Sequence, residues 1–211
     1  MNTVKNRTTR MVLTAVFAAI IIVMASIPQL GYINLGIISA TTLHIPVVVG
    51  SILLGPQTGA LLGAFFGLTS CIKATFAPNL TSFCFSPFIA NGNLASLLVC
   101  FVPRILIGIV SPLVYRGMHF VLGKLVKKKE VTTLASLAVA GLAGSMTNTL
   151  LVMNLIYVFF IDLYAAATGY EAVYSAILVI IISAGVPEAI VCAILTTAIC
   201  RVMLPLVRQT R

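Results

Sequence analysis

Apolar positions along this chain gather in long runs, divided by short stretches of polar residues and prolines. A helix needs about 20 apolar residues to cross the hydrocarbon of a bilayer, with roughly 17 to 25 tolerated. On that measure six spans are predicted, near residues 10–28, 37–55, 57–76, 94–116, 132–161 and 173–204. The second is short and interrupted by Pro46. No region alternates with the period of two that a barrel strand requires. The pattern predicts an all-α membrane protein, a six-transmembrane-helix bundle forming a single integral-membrane domain over residues 1–211.

Composition agrees with the pattern and excludes a soluble domain. The chain is 60% hydrophobic and 8% charged, with a mean hydropathy of +1.15. That is too little charge to cover a water-facing surface. The net charge of +9 is informative mainly through its distribution. Bases cluster at Lys5, Arg7 and Arg10, at Arg116, Lys124 and Lys127 to Lys129, and at Arg201, Arg208 and Arg211. Each cluster abuts an apolar span, which favours orientation by the positive-inside rule over nucleic-acid binding. With the N-terminus cytoplasmic, the 116–131 loop and the C-terminus are cytoplasmic too. Segments 29–36, 77–93 and 162–172 then lie outside and hold no Lys or Arg, while the last holds Asp162 and Glu171. The first 26 residues have the make-up of a secretory leader, but further spans follow and there is no clear A-x-A site, so they are expected to remain as the first helix.

Several motifs carry more than hydropathy. "GPQTGALLGAFFGL" sets Gly55, Gly59, Gly63 and Gly67 four residues apart, a stripe that lets another backbone approach closely in lipid. "AVFAA" sets Ala15 and Ala19 at the same spacing, for internal packing or for docking a second membrane subunit. The outer segment "APNLTSFCFSPFIANGN" mixes Asn79, Asn91 and Asn93 with Phe83, Phe85 and Phe88. It reads either as a loop along the interface or as a lid over a site for a small polar ligand.

Ionisable residues inside the spans are few, and each needs a reason to be there. Glu188 follows Pro187 in "YSAILVIIISAGVPEAIVCAILTTAIC". Proline removes a backbone hydrogen bond and crowds the Ser183 carbonyl, which predicts a loosened helix before the acid. Arg104 lies 12 residues before Arg116, and Glu188 lies 13 before Arg201, so both sit at nearly equal height, roughly 18–20 Å from the basic ends. An ion pair, a ligand, or both explain them. Asn148, with Thr147 and Asn154 nearby, falls in the same outer half, where interhelical hydrogen bonds are the plainer use of an amide. Lys73 near the outer end of the third span is suited to snorkelling, and His44 beside Pro46 reads as a hydrogen-bonded helix-start residue. The five cysteines have no metal-ligand spacing and read as small buried hydrophobes. No Walker A, no HExxH and no paired acids suited to a metal occur. The chain is therefore not expected to be an enzyme or to hold a cofactor or metal, and transport would need an ion gradient or a borrowed motor.

The stretches "LGYINLGIISATTLHIPVVVGSILLGPQTGALLGAFFGLTS", "FSPFI", "VPRILIGIVSPLVYR", "GSMTNTLLVMNLIYVFF" and "GVPEAIVCAIL", in this order, give nearly the whole chain a resemblance to a known family. It resembles the S components, the substrate-binding membrane subunits, of energy-coupling factor (ECF) vitamin transporters, and within them the pantothenate-type branch. The resemblance implies six helices with cytoplasmic termini in a prokaryotic cell membrane and a vitamin bound near the outer face. It also implies two kinds of partner, a transmembrane coupling subunit and two cytoplasmic ATPases, with the S component toppling to deliver its ligand. Ala15 and Ala19 match the family's Ala-x-x-x-Ala docking face. Arg104 in "PRIL", Asn148 in "TNT" and Glu188 in "PEA" fall on the branch motifs, so that Arg104 would take a pantothenate carboxylate, with Lys73 as the alternative cation. Asn148 and Glu188 would take its hydroxyls and amide, with Asn91 and Asn93 in the outer segment as further candidates. The chain departs from the branch around "TSCIKAT", where it has Cys71 and Thr75, and it has no tryptophan. Another vitamin or precursor, such as folate or hydroxymethylpyrimidine, a small gradient-driven carrier, and a ligand-free assembly protein stand as alternatives.

Overall fold

The apolar runs become helices in a computed structural model that describes residues 7–34, 39–168 and 173–209. In chain order these are α1 (Arg7–Ser26), a single turn α2 (Pro28–Gly31), the hairpin strands β1 (Tyr32–Asn34) and β2 (Ser39–Thr41), α3 (His44–Leu54) and α4 (Pro56–Phe76). A short 3-10 turn at Ser82–Cys84 precedes α5 (Leu94–Leu125) and α6 (Lys129–Thr168). Then come α7 (Val173–Ile180), a π-turn at Ile181–Gly185, and α8 (Val186–Gln209). Lys5, Glu171 and Arg211 lie outside the described residues.

Five helical stretches are long and apolar enough to cross a membrane: α1, α4, α5, α6, and the unit from Ile177 in α7 to Val207 in α8. Large apolar side chains such as Val12, Leu61, Leu98, Val158 and Ile194 are exposed on them, as lipid-facing surfaces require. The chain is thus a multi-pass membrane protein. The predicted second span is corrected. Residues 37–55 are not one helix: the part described from Ser39 is strand β2, followed by the 11-residue α3. At 1.5 Å per residue α3 covers about 16 Å, roughly half the hydrocarbon. Every residue of α3 is buried, so its apolar character comes from being surrounded by other helices. α6 continues helical beyond the predicted span, through the first part of segment 162–172 to Thr168, with one non-helical residue at Phe160 (φ −136°, ψ 20°).

The glycine stripe packs α4 on α5 in antiparallel register. A Cβ on Gly59 would strike the Gly108 backbone, one on Gly63 would come within 2.8 Å of Ile105 Cα beside the Arg104 carbonyl, and one on Gly67 would come within 2.9 Å of the Phe101 ring. Cys100 Sγ donates to the Gly67 carbonyl at 3.1 Å in the same contact. Gly55 differs from its three partners. It is the corner between α3 and α4, with φ 99° and ψ 171°, a conformation suited to glycine, and Pro56 opens α4 directly after it. Because the blocked atoms at Gly63 are backbone, Gly63→Ala is expected to destabilise the ligand-free protein by about 1–3 kcal/mol. Thermal unfolding in detergent would read this, and an unchanged midpoint would show that α4 and α5 can separate freely.

The same close approach holds α6 against α8, where a Cβ on Gly141 would come within 2.8 Å of Ala193 Cα. Arg201 on α8 pairs with Glu130 in the first turn of α6 at 2.5 Å, with both side chains exposed. An exposed pair contributes little to stability, but it fixes the end of α8 beside the α5–α6 turn. At the opposite end, residues 77–93 fold inward as a cap. Ser96 Oγ donates to the Phe83 carbonyl at 2.7 Å, and the Thr75 and Ser86 hydroxyls share a 2.7 Å bond. Phe83, Cys84 and Ser86 are buried beneath it, while Phe88 is exposed. Buried side chains form two clusters, one around α3 with Phe17, Phe66, Tyr115 and Leu137, and one beneath the cap with Phe83, Val152, Ile156 and Phe160.

Candidate functional site

Two prolines prepare the site. Pro103 has no N–H to give the Val99 carbonyl one turn earlier. The next residue compensates: Arg104 turns its guanidinium back, and Nη1 donates to Val99 O at 2.8 Å. Its Cζ also lies 5.4 Å from the Phe66 ring centroid and 5.0 Å from that of Phe85, close enough for cation–π attraction on both sides. Arg104 is 5% exposed. The sequence predicts a side chain at depth. The structure adds that it is oriented by its own helix and by a cap aromatic.

Pro187 acts in parallel on the last span. The loosening predicted before it takes the form of the π-turn Ile181–Gly185, with the Val186 N–H bonding the Ile181 carbonyl. Such turns absorb an extra residue and often occur at functional sites. Glu188 then sits in the first turn of α8, and its Oε1 accepts a 2.8 Å hydrogen bond from the Thr41 N–H at the end of the hairpin. Non-helical backbone at membrane depth is tolerated where it is buried in protein or lines a cavity, and both the hairpin end and the π-turn meet that condition.

These elements enclose a cavity of about 130 Å3. One water needs roughly 10–15 Å3 on the same measure, so the space suits a small organic molecule. Its walls come from every part of the bundle near the cap: Lys73 on α4, Arg104 on α5, Asn148 on α6, Glu188 on α8, Thr41 of the hairpin, and Phe85 of the cap. Aliphatic walls are supplied by Val152, Met153, Ile156 and Ile180. Asn148 is 5% exposed, and its Oδ1 is buried without a hydrogen-bond partner. A buried acceptor left unmatched costs about 1–3 kcal/mol. The interhelical bond foreseen for Asn148 is therefore not made by that oxygen.

Of the six residues singled out in the sequence as ligand contacts, Lys73, Arg104, Asn148 and Glu188 line this one cavity. Asn91 and Asn93 are exposed and are not among its lining residues. Asn91 has φ 66°, the left-handed conformation that asparagine tolerates. Asn93 caps α5, accepting from the Ala95 N–H at 2.8 Å, with Ser96 reciprocating. Thr147 and Asn154 bond carbonyls of their own helix. His44, foreseen as a hydrogen-bonded helix-start residue, is buried at the first position of α3 with the Thr41 backbone as its hydrogen-bond partner. Sequence reasoning did not foresee Thr41, Thr149 or Tyr164 in the lining. Thr41 contributes through its backbone N–H, a group every residue but proline carries. Ala15 and Ala19 lie on the exposed face of α1, while Phe17, Ala18 and Ile21 face the bundle.

A multi-helix membrane protein with a ligand-sized, charge-bearing cavity beneath a folded cap is suited to binding a small solute. The chain belongs to the family of ECF transporter substrate-specific components, whose model matches residues 9–200. It is similar to the pantothenic acid transporter PanT of Lactococcus lactis subsp. cremoris (strain MG1363), with 34% identity over 202 residues, covering 92% of this chain and 93% of the relative. It is also similar to the pantothenate transporter PanT of Leuconostoc mesenteroides subsp. mesenteroides, with 37% identity over 111 residues and 50% of each chain covered. The relatives are transporters, and the role of this chain is in transport and not in catalysis.

Proposed function

We propose that this chain captures pantothenate and delivers it across a prokaryotic cell membrane as the substrate-binding subunit of an ATP-driven ECF importer. The observation that carries the reading is the cavity, with its cations, its acceptors and its aliphatic walls. Pantothenate is a carboxylate joined through an amide to a branched chain bearing two hydroxyls and geminal methyls. Arg104 takes the carboxylate through charge-assisted hydrogen bonds, with Lys73 as a second cation. Asn148 Oδ1 and Glu188 accept from the hydroxyls and the amide N–H. The methyls fit against Val152, Ile156 and Ile180. Folate and hydroxymethylpyrimidine are planar and aromatic and would call for stacking surfaces, whereas Phe85 and Tyr164 are the two aromatic residues in a lining that is otherwise polar and aliphatic. The similarity to two bacterial PanT proteins supports the same ligand.

Six membrane passes, with α3 and the hairpin together making the second, leave both termini and the α5–α6 turn in the cytoplasm, in keeping with the basic clusters. The cap and cavity are then near the outer face. Power comes from two cytoplasmic ATPases through a transmembrane coupling subunit, and Ala15 and Ala19 offer that subunit a smooth strip on the exposed side of α1.

Calorimetric titration of the purified subunit with pantothenate tests the ligand. Binding should raise the unfolding free energy by about 2.7 kcal/mol at a hundredfold excess over Kd. Ala15→Leu with Ala19→Leu should leave that titration unchanged and strongly reduce uptake in cells or vesicles containing the complete transporter. Uptake that persists without the ATPases would instead identify a gradient-driven carrier, and normal uptake by the double variant would remove α1 as the docking face.

A further inference from the structure

The cavity is polarised, and the polarity bears on which anions it admits. Cations lie on the side of α4, α5 and the cap: Lys73 and Arg104 line it there, with Arg104 against the Phe85 ring of the cap. Glu188 belongs to a different wall, held by the Thr41 N–H of the hairpin. Asn148 lines the cavity from α6, the helix that meets the π-turn before Glu188, where a Cβ on Gly185 would lie 2.8 Å from Cγ2 of Thr149.

The Glu188 wall is rich in acceptors. An ionised carboxylate donates nothing and offers about four lone-pair sites, of which Thr41 occupies one. Asn148 Oδ1 adds an acceptor that is buried and unpartnered. Hydroxyl and amide hydrogens satisfy such a wall. A phosphate ester brings acceptor oxygens and about −1.5 to −2 charge at neutral pH, so it meets an acid and leaves the acceptors without donors.

We propose that Glu188 and Asn148 form a charge filter that admits the neutral hydroxyl end of a carboxylic acid and excludes a second anionic group there. The inference rests on the pantothenate reading and adds to it a rule. The site binds monoanions with a donor-bearing far end and rejects the same molecule phosphorylated on its primary hydroxyl. Like charges brought together cost several kcal/mol when desolvated, and specificity against a near-identical ligand is commonly built from such repulsion.

The test titrates the purified subunit with pantothenate and with pantothenate phosphorylated on its primary hydroxyl. The ester is expected to bind about 100-fold more weakly or worse. In Glu188→Gln, pantothenate should weaken by about 10-fold while the ester gains, so that the gap contracts to about 10-fold or less. If that variant does not fold, Glu188→Asp, which draws the charge back by one methylene, should narrow the gap in the same direction. Ester affinity within about 3-fold of pantothenate in the wild type would overturn the filter and leave the pantothenate reading standing. A gap unchanged in Glu188→Gln would overturn it also, assigning the exclusion to bulk. No binding of pantothenate by the wild type would remove the ligand reading itself, and the filter with it.

Discussion

Arg104→Lys should weaken pantothenate binding by about 10- to 100-fold, the loss of one charge-assisted hydrogen bond of roughly 1.5–3 kcal/mol. The lysine keeps the charge but not the planar fork that can bond a carboxylate twice. In this protein the fork also has a second task, since Nη1 closes the Val99 carbonyl that Pro103 leaves open, and its plane lies near both Phe66 and Phe85. The ligand-free variant should therefore unfold at a slightly lower temperature as well. The two effects separate in a single thermal series with and without pantothenate. A lowered ligand-free midpoint with an unaltered ligand-induced shift would make Arg104 a plug for its helix and no part of the site.

Asn148→Leu should move the two quantities in opposite directions. Its Oδ1 is buried and has no partner, so replacing the amide by an apolar group of similar size removes an unmatched polar atom. Ligand-free stability should hold or rise, by up to about 1–3 kcal/mol. Pantothenate affinity should fall by about 10- to 100-fold, because a donor on the ligand would then be buried against leucine. Such an exchange of stability for binding marks a residue kept for its ligand. Lower ligand-free stability with full affinity would mean that the amide serves the bundle.

Much of this was legible in the sequence for a physical reason. Crossing a bilayer imposes length, apolar composition and the sidedness of bases on each segment, and all three are local properties. The glycine spacing from Gly59 to Gly67 and the isolation of Arg104 and Glu188 are visible in the same way, since a missing side chain or a charge in an apolar run stands out against its neighbours. Asn91 and Asn93 show the limit of that reasoning. Residue type made them candidates, but their places in the chain gave them a left-handed turn and a helix cap instead.

The sequence alone determined the class of protein, most of its spans, and four polar residues that line one cavity. Only the tertiary structure decided that α3 is half the length of a span and buried on all sides, that Gly55 is a corner while Gly59 to Gly67 meet α5, and that Glu188 is held by Thr41 from 147 positions away. The reason is the range of the interactions. Burial, backbone approach and a main-chain donor at Thr41 depend on which segments come together, and no property of a residue or of its neighbours in the chain records that.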